Sequence, residues 1–170
     1  MTVAPDYVEP VVGWRLWYAV DNAGETRLSS VFHKTLWPQN APLIAVCSGF
    51  RISFWPFRRK CHEAPDTSCG CGIHAANMAT IRAYLPDQFS RSGALPVVGR
   101  VSLWGNVHEY DRGWRASHAY PERLYVPIVE LGPEHARIIE DLLRYGVPVR
   151  AVGGSSADAM IEEVSALAAA

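Results

Sequence analysis

Between Cys61 and His74 the chain reads Cys-His-Glu-Ala-Pro-Asp-Thr-Ser-Cys-Gly-Cys-Gly-Ile-His, which holds three of its four cysteines and two of its six histidines. The fourth cysteine, Cys47, precedes this segment. Thiolates and imidazoles gathered in one loop are the ligands of a tetrahedral zinc ion, which draws sulfur to about 2.3 Å and nitrogen to about 2.0 Å. Cys69 and Cys71 are separated by Gly70 and followed by Gly72, so the backbone has room to turn both sulfurs toward one point. His62, in a proline-bearing loop, supplies the third ligand and Cys47 the fourth. Cys61 and His74 are the alternatives, and because adjacent residues rarely both reach one ion, only one of Cys61 and His62 is chosen.

Two other readings use the same residues. Cysteines also serve as small buried hydrophobes, and histidines as satisfied polar groups. Alternatively, Cys69 or Cys71 is a nucleophile. A helix expected over residues 72–85 would set either thiol at a helix N-terminus and favour its thiolate. His62, His74 or His108 would then act as base. Redundancy weighs against it, because a nucleophile needs one cysteine and this segment keeps three.

At 170 residues the chain suits one domain with a core that needs no staple. A net charge of −1 offers no global field for nucleic acid or an anionic membrane. No apolar run approaches the roughly 20 residues of a membrane span. The first residues have neither the basic head nor the apolar stretch of a signal peptide, so the expected location is cytoplasmic, where thiols stay reduced.

The pattern implies an α+β fold: antiparallel β-hairpins, then the Cys/His loop leading into a helix, then a C-terminal β-α-β element. Strands are expected over residues 11–20, 27–33, 43–47, 97–109, 114–120, 124–131 and 147–152. Helices are expected over 72–85 and 133–145, the second opened by Pro133 and closed by Gly146. Ser155 and Asp158 resemble a capping box for a last helix. Residues 1–153 form one domain on this reading, and residues 154–170 a helical tail.

A second cluster lies in residues 103–121. A three-residue turn at Asp111-Arg112-Gly113 would set Tyr110 opposite Trp114 and Glu109 opposite Arg115, an aromatic pair and an ion pair that stabilise a hairpin without any ligand. The functional alternative makes His108, Glu109, Arg115 and His118 the polar lining of a pocket walled by Trp104 and Trp114.

These segments carry a resemblance. His62-x-Ala-Pro-x3-Cys69-x-Cys71-Gly-Ile-His74-Ala, with Trp104-Gly-Asn-Val-His108-Glu, Gly113-Trp-Arg-Ala and Ala119-Tyr-Pro, resembles a group of uncharacterised proteins of actinobacteria and their phages. The early Gly13-Trp-Arg-Leu-Trp and Trp37-Pro38 belong to the same likeness, which spans residues 11–126. In that pattern tyrosine usually stands in the place of His74, which favours Cys47, His62, Cys69 and Cys71 as the ligands. The resemblance implies no activity.

Residues 50–60 combine Arg51, Arg58, Arg59 and Lys60 with Phe54, Trp55 and Phe57, a composition able to bind phosphates and stack on bases. The blander reading packs those aromatics beneath the metal loop. Taken together, the sequence favours a zinc-stabilised, non-enzymatic binding or regulatory module with a protein partner. An enzyme is the competing reading, either through a cysteine nucleophile or through an open zinc site with Glu109 as base.

Overall fold

The computed structural model describes residues 9–47, 62–87, 94–128, 133–154 and 156–169. Two long strands, β5 (Leu95–Tyr110) and β6 (Gly113–Pro127), pair antiparallel as its central ribbon. Strand β1 (Val11–Asn22) pairs with β5 along one edge and with β2 (Glu25–Ser30) along the other. Short strands β3 (Leu43–Ile44) and β4 (Ile73–Ala76) lie against β6, and β4 also touches β1 through Trp14 and Ala76. The pairings β1–β5–β6–β4–β1 therefore close a ring, with β2, β3 and β7 (Val149–Val152) attached outside it. Strand β7 runs parallel to β6 after helix α2 (Pro133–Leu143), making the expected β-α-β element. The other helices are α1 (Met78–Ile81), continued by a 3-10 turn, and α3 (Ala157–Ala169).

Strands of period two bury alternate residues on opposite faces, and here both faces are covered. Trp17, Val97, Leu124 and Val126 join Trp37, Leu142 and Tyr145 in the main core on the α2 side. Their neighbours Leu16, Val98, Tyr125 and Val152 join Ile81, Met160 and Val164 in a second core under α1 and α3. Helix α3 thus contributes Ala157, Met160 and Val164 to this second core. Helix α2 is fastened through Asp141, whose carboxylate accepts the Thr26 N–H at 2.8 Å, and through Tyr145, whose hydroxyl accepts from Leu28 and donates to the Trp37 carbonyl.

Three local expectations are corrected. Residues 72–85 are not one helix: Ile73–Ala76 is strand β4, and Asn77 then caps α1 by accepting the Thr80 N–H. The edge of β6 at residues 113–116 gives this short run a ladder of backbone hydrogen bonds, which outweighs its alanine content. Residues 114–120 and 124–131 are not separate strands, since β6 is continuous through Pro127; residues 129–131 lie outside the described ones. The hairpin turn holds two residues, Asp111 and Arg112, so Glu109 faces Trp114 and His108 faces Arg115. A one-residue slip moves every side chain to the other face, which separates Glu109 from Arg115. Gly113 makes this register workable. Its φ is +148°, and a Cβ there would stand 2.0 Å from the Ala75 carbonyl oxygen of β4.

Candidate metal centre

Strand β6 explains how distant ligands meet. One edge of β6 pairs with β4 at residues 113–116 and with β3 at 118–119, and Ala45 extends the second contact by donating to Ser117 O at 2.8 Å. The chain leaving β3 carries Cys47, and the chain entering β4 carries Cys69 and Cys71, so neighbouring stations on one rail bring the three sulfurs together. His62 returns through the same loop. The candidate ligand atoms of Cys47, His62, Cys69 and Cys71 all lie within 4.8 Å of one another.

The separations suit a tetrahedral ion. Ligand lengths for zinc imply about 3.8 Å between two bound sulfurs and about 3.5 Å between sulfur and nitrogen. Cys47 Sγ and Cys69 Sγ are 3.9 Å apart, and His62 Nε2 and Cys71 Sγ 3.2 Å. The sulfur–sulfur distance is far too long for a disulfide, and all three thiols are free. This Cys3His set can hold a metal ion, and its soft donors are compatible with zinc.

The loop behind the ligands is built tightly. Asp66 Oδ1 accepts from the Ser68 N–H at 2.8 Å and the Ser68 hydroxyl at 2.6 Å, and the Cys69 N–H donates to Asp66 O at 3.2 Å. The Ser68 hydroxyl, then its N–H, holds the Asp66 carboxyl below its usual range. Gly72, with φ +116°, threads between Pro65 and Arg115; a Cβ would meet theirs at 2.9 and 3.4 Å. Arg115, only 8% exposed, donates to the carbonyls of Cys69 and Cys71 and to the Tyr110 hydroxyl, and its guanidinium lies 4.6 Å from the Tyr110 ring centre. Arg115 is therefore the strut that locks the ligand loop onto the hairpin.

The thiols are electrostatically unequal. The Cys71 N–H, followed by the neighbouring thiols and His62, brings Cys69 down to about 7 against the opposing effect of burial, whereas burial pushes Cys71 up. A thiolate available near neutral pH is what a metal ligand requires. The helix-terminus argument for a nucleophilic Cys69 or Cys71 falls, because β4 stands between these cysteines and α1.

The remaining expected residues divide. His74 lies on β4 outside the ligand group, exposed, its Nε2 donating to Gly70 O at 3.1 Å. Desolvation of the ring by its immediate neighbours, and then the Arg15 and Arg115 guanidiniums, hold its imidazole below the usual range. Trp104 stacks on His118, with ring centres 6.0 Å apart, and His118 Nδ1 lies 2.9 Å from the Ser117 hydroxyl. Trp114 and Arg115 line a cavity of about 780 Å³ beside the metal loop; Trp104, His108, Glu109 and His118 do not. Of the six residues named as a candidate binding surface, this cavity therefore takes in two. Cys61 and the basic aromatic segment 50–60 lie outside the described residues.

Sequence reasoning missed Arg15, which also lines the cavity. The signal was its place on β1. Trp17, two residues on and therefore on the same face, is wholly buried, so a cation had been carried to the interior side of a strand. Among the described residues no helix is long and apolar enough to cross a membrane. No protein-family model, curated protein or solved structure matches the chain.

Proposed function

We propose that the chain is a zinc-stabilised binding module in which Cys47, His62, Cys69 and Cys71 hold one Zn2+. The observation that carries this reading is the meeting of four ligand atoms from two separate segments within 4.8 Å. Four protein ligands complete a tetrahedral shell, leave no position for an activated water, and turn metal binding into folding energy. When bound, the ion supplies structural cross-linking between the loop entering β4 and the chain leaving β3. The role of this chain's own residues is to shape that loop, with Asp66 closing its turn and Arg115 seating it on β6. A protein partner, nucleic-acid binding through residues 50–60 and a location in the cytoplasm remain expectations from sequence; the enzyme reading loses its helix-terminus argument.

The test is metal content, joined to the spectrum of cobalt-substituted protein. About one equivalent of zinc per chain is expected, with tetrahedral d–d bands and thiolate charge transfer after cobalt exchange. Cys47→Ser and Cys69→Ser should weaken retention, while His74→Tyr should keep it. Zinc-free protein of equal stability would refute the reading, and an octahedral cobalt spectrum would refute the closed shell.

A further inference from the structure

The cavity that adjoins the metal loop has a composition the metal does not explain. Its walls come from β1, the end of β2, residues 67–72, β4 and the tip of the β5–β6 hairpin. They include Arg15, Arg112, Arg115, His33 and His74 and, among the described residues, no aspartate or glutamate, although acids outnumber bases by 17 to 16 in the whole chain. A cleft lined by charges of one sign focuses the field onto its occupant.

Two of these arginines are especially informative. Arg115 is buried, and its hydrogen-bond partners are two loop carbonyls and a tyrosine hydroxyl. Arg15 donates to the His74 carbonyl and to Ser30 Oγ at 3.2 Å, and its Nε is buried with no acceptor among the described residues. Neither has a carboxylate partner among the described residues. Carbonyl and hydroxyl dipoles satisfy donors but cancel no charge, so two guanidiniums flank the cavity uncompensated. Burial lowers Arg15 to about 10, which still leaves it charged at neutral pH. The lining also carries the rings of Trp14, Trp114 and Tyr110, the last with the Arg115 guanidinium 4.6 Å from its centre. A volume of about 780 Å³ lies within the range of small-molecule sites and is too small for a folded partner.

We propose that this cavity binds a small aromatic anion, a carboxylate or phosphate carried on a ring, with Arg15 and Arg115 holding the charge and Trp14, Trp114 and Tyr110 the ring. Guanidinium forks match both kinds of anion bidentately, and the same cations pair with π-faces at short range. The proposal rests on the metal reading in one respect: residues 67–72, which the ion would order, form one wall.

The experiment titrates the zinc-loaded 170-residue chain with phenyl phosphate, benzoate and neutral benzyl alcohol, following tryptophan fluorescence and binding heat. At least one anion should bind about tenfold more tightly than benzyl alcohol, and the better of the two identifies the head group. Arg15→Met should weaken that anion about tenfold and leave benzyl alcohol unchanged, with zinc content and unfolding midpoint checked on the same sample. Should Arg15→Met fail to fold, rising salt must weaken the anion and not the alcohol in the wild-type protein. Equal affinity for the anions and the alcohol, or anion binding indifferent to both Arg15→Met and salt, overturns the proposal. Protein that takes up no zinc yet binds the anion would refute the metal reading alone; zinc-loaded protein that binds neither anion would refute the cavity alone.

Discussion

Replacing Arg115 by methionine separates the architecture seen here from the hairpin ion pair that the sequence implies. As one member of an exposed pair with Glu109, Arg115 would contribute at most about 1 kcal/mol. In the structure it is 8% exposed and donates to Cys69 O, Cys71 O and the Tyr110 hydroxyl. Methionine keeps most of the apolar stem, so the loss falls on those bonds. Hydrogen bonds from a charged donor are each worth about 1.5–3 kcal/mol, and the stacking over Tyr110 about 0.5–1 kcal/mol. Water can reach the loop carbonyls once the guanidinium is gone, which returns part of this and leaves a cost of about 3 kcal/mol. For a chain of this length that corresponds to a drop of roughly 6–12 °C in Tm. Glu109 is exposed and paired with Trp114, so Glu109→Gln should change stability by no more than about 0.5 kcal/mol. The assay is urea denaturation of zinc-loaded wild type, both single variants and the double variant. Coupling between the two sites should fall below about 0.5 kcal/mol, because they occupy opposite faces. Equal costs for the two single variants, or coupling above about 1 kcal/mol, would refute this register and Arg115's role as the strut.

The other predictions concern Gly72 and Asp141. Gly72→Ala should cost about 1–3 kcal/mol and loosen zinc, from its φ of +116° and the 2.9 Å approach to Pro65, whereas Gly70→Ala, with nothing within 4 Å, should do neither; competition with a chromophoric chelator reads both. Asp141→Ala should destabilise by about 1–3 kcal/mol by leaving the Thr26 N–H without its acceptor, measured by urea denaturation, with zinc affinity unchanged because α2 lies away from the ligand loop.

How much the sequence disclosed depended on whether a feature was local. Pro133 and Gly146 bracket α2 because proline at the first turn and a left-handed glycine after the last are signals read within a few residues. The Cys/His cluster able to hold a metal ion could be read for a different reason: three cysteines and two histidines crowd into fourteen residues, from Cys61 to His74. Strand β4 could not be read, because Ile-His-Ala-Ala has no strand character of its own and becomes one only where β6 offers an edge. The two-residue turn was hidden likewise, since the close packing of Gly113 on Ala75, a contact far apart in sequence, sets the register.

Strand β6 links these failures to the site. A single extended segment accepts β4, then Ala45, then β3 along one edge, and so fixes the positions from which Cys71, Cys69 and Cys47 depart. Its own side chain Arg115 reaches back to the carbonyls of two of those cysteines. The same guanidinium forms a wall of the cavity, beside Arg15 from β1. The metal loop and the cation-lined cavity therefore share a structural member, and ordering one shapes the other. On the proposed metal reading, loss of the ion would loosen the loop that Arg115 braces, and with it the cavity wall at residues 67–72. A bound anion does the reverse, satisfying charges that the loop carbonyls alone leave uncompensated. Any coupling between the two sites would be reciprocal: whatever affinity the anion gains from zinc, zinc gains from the anion.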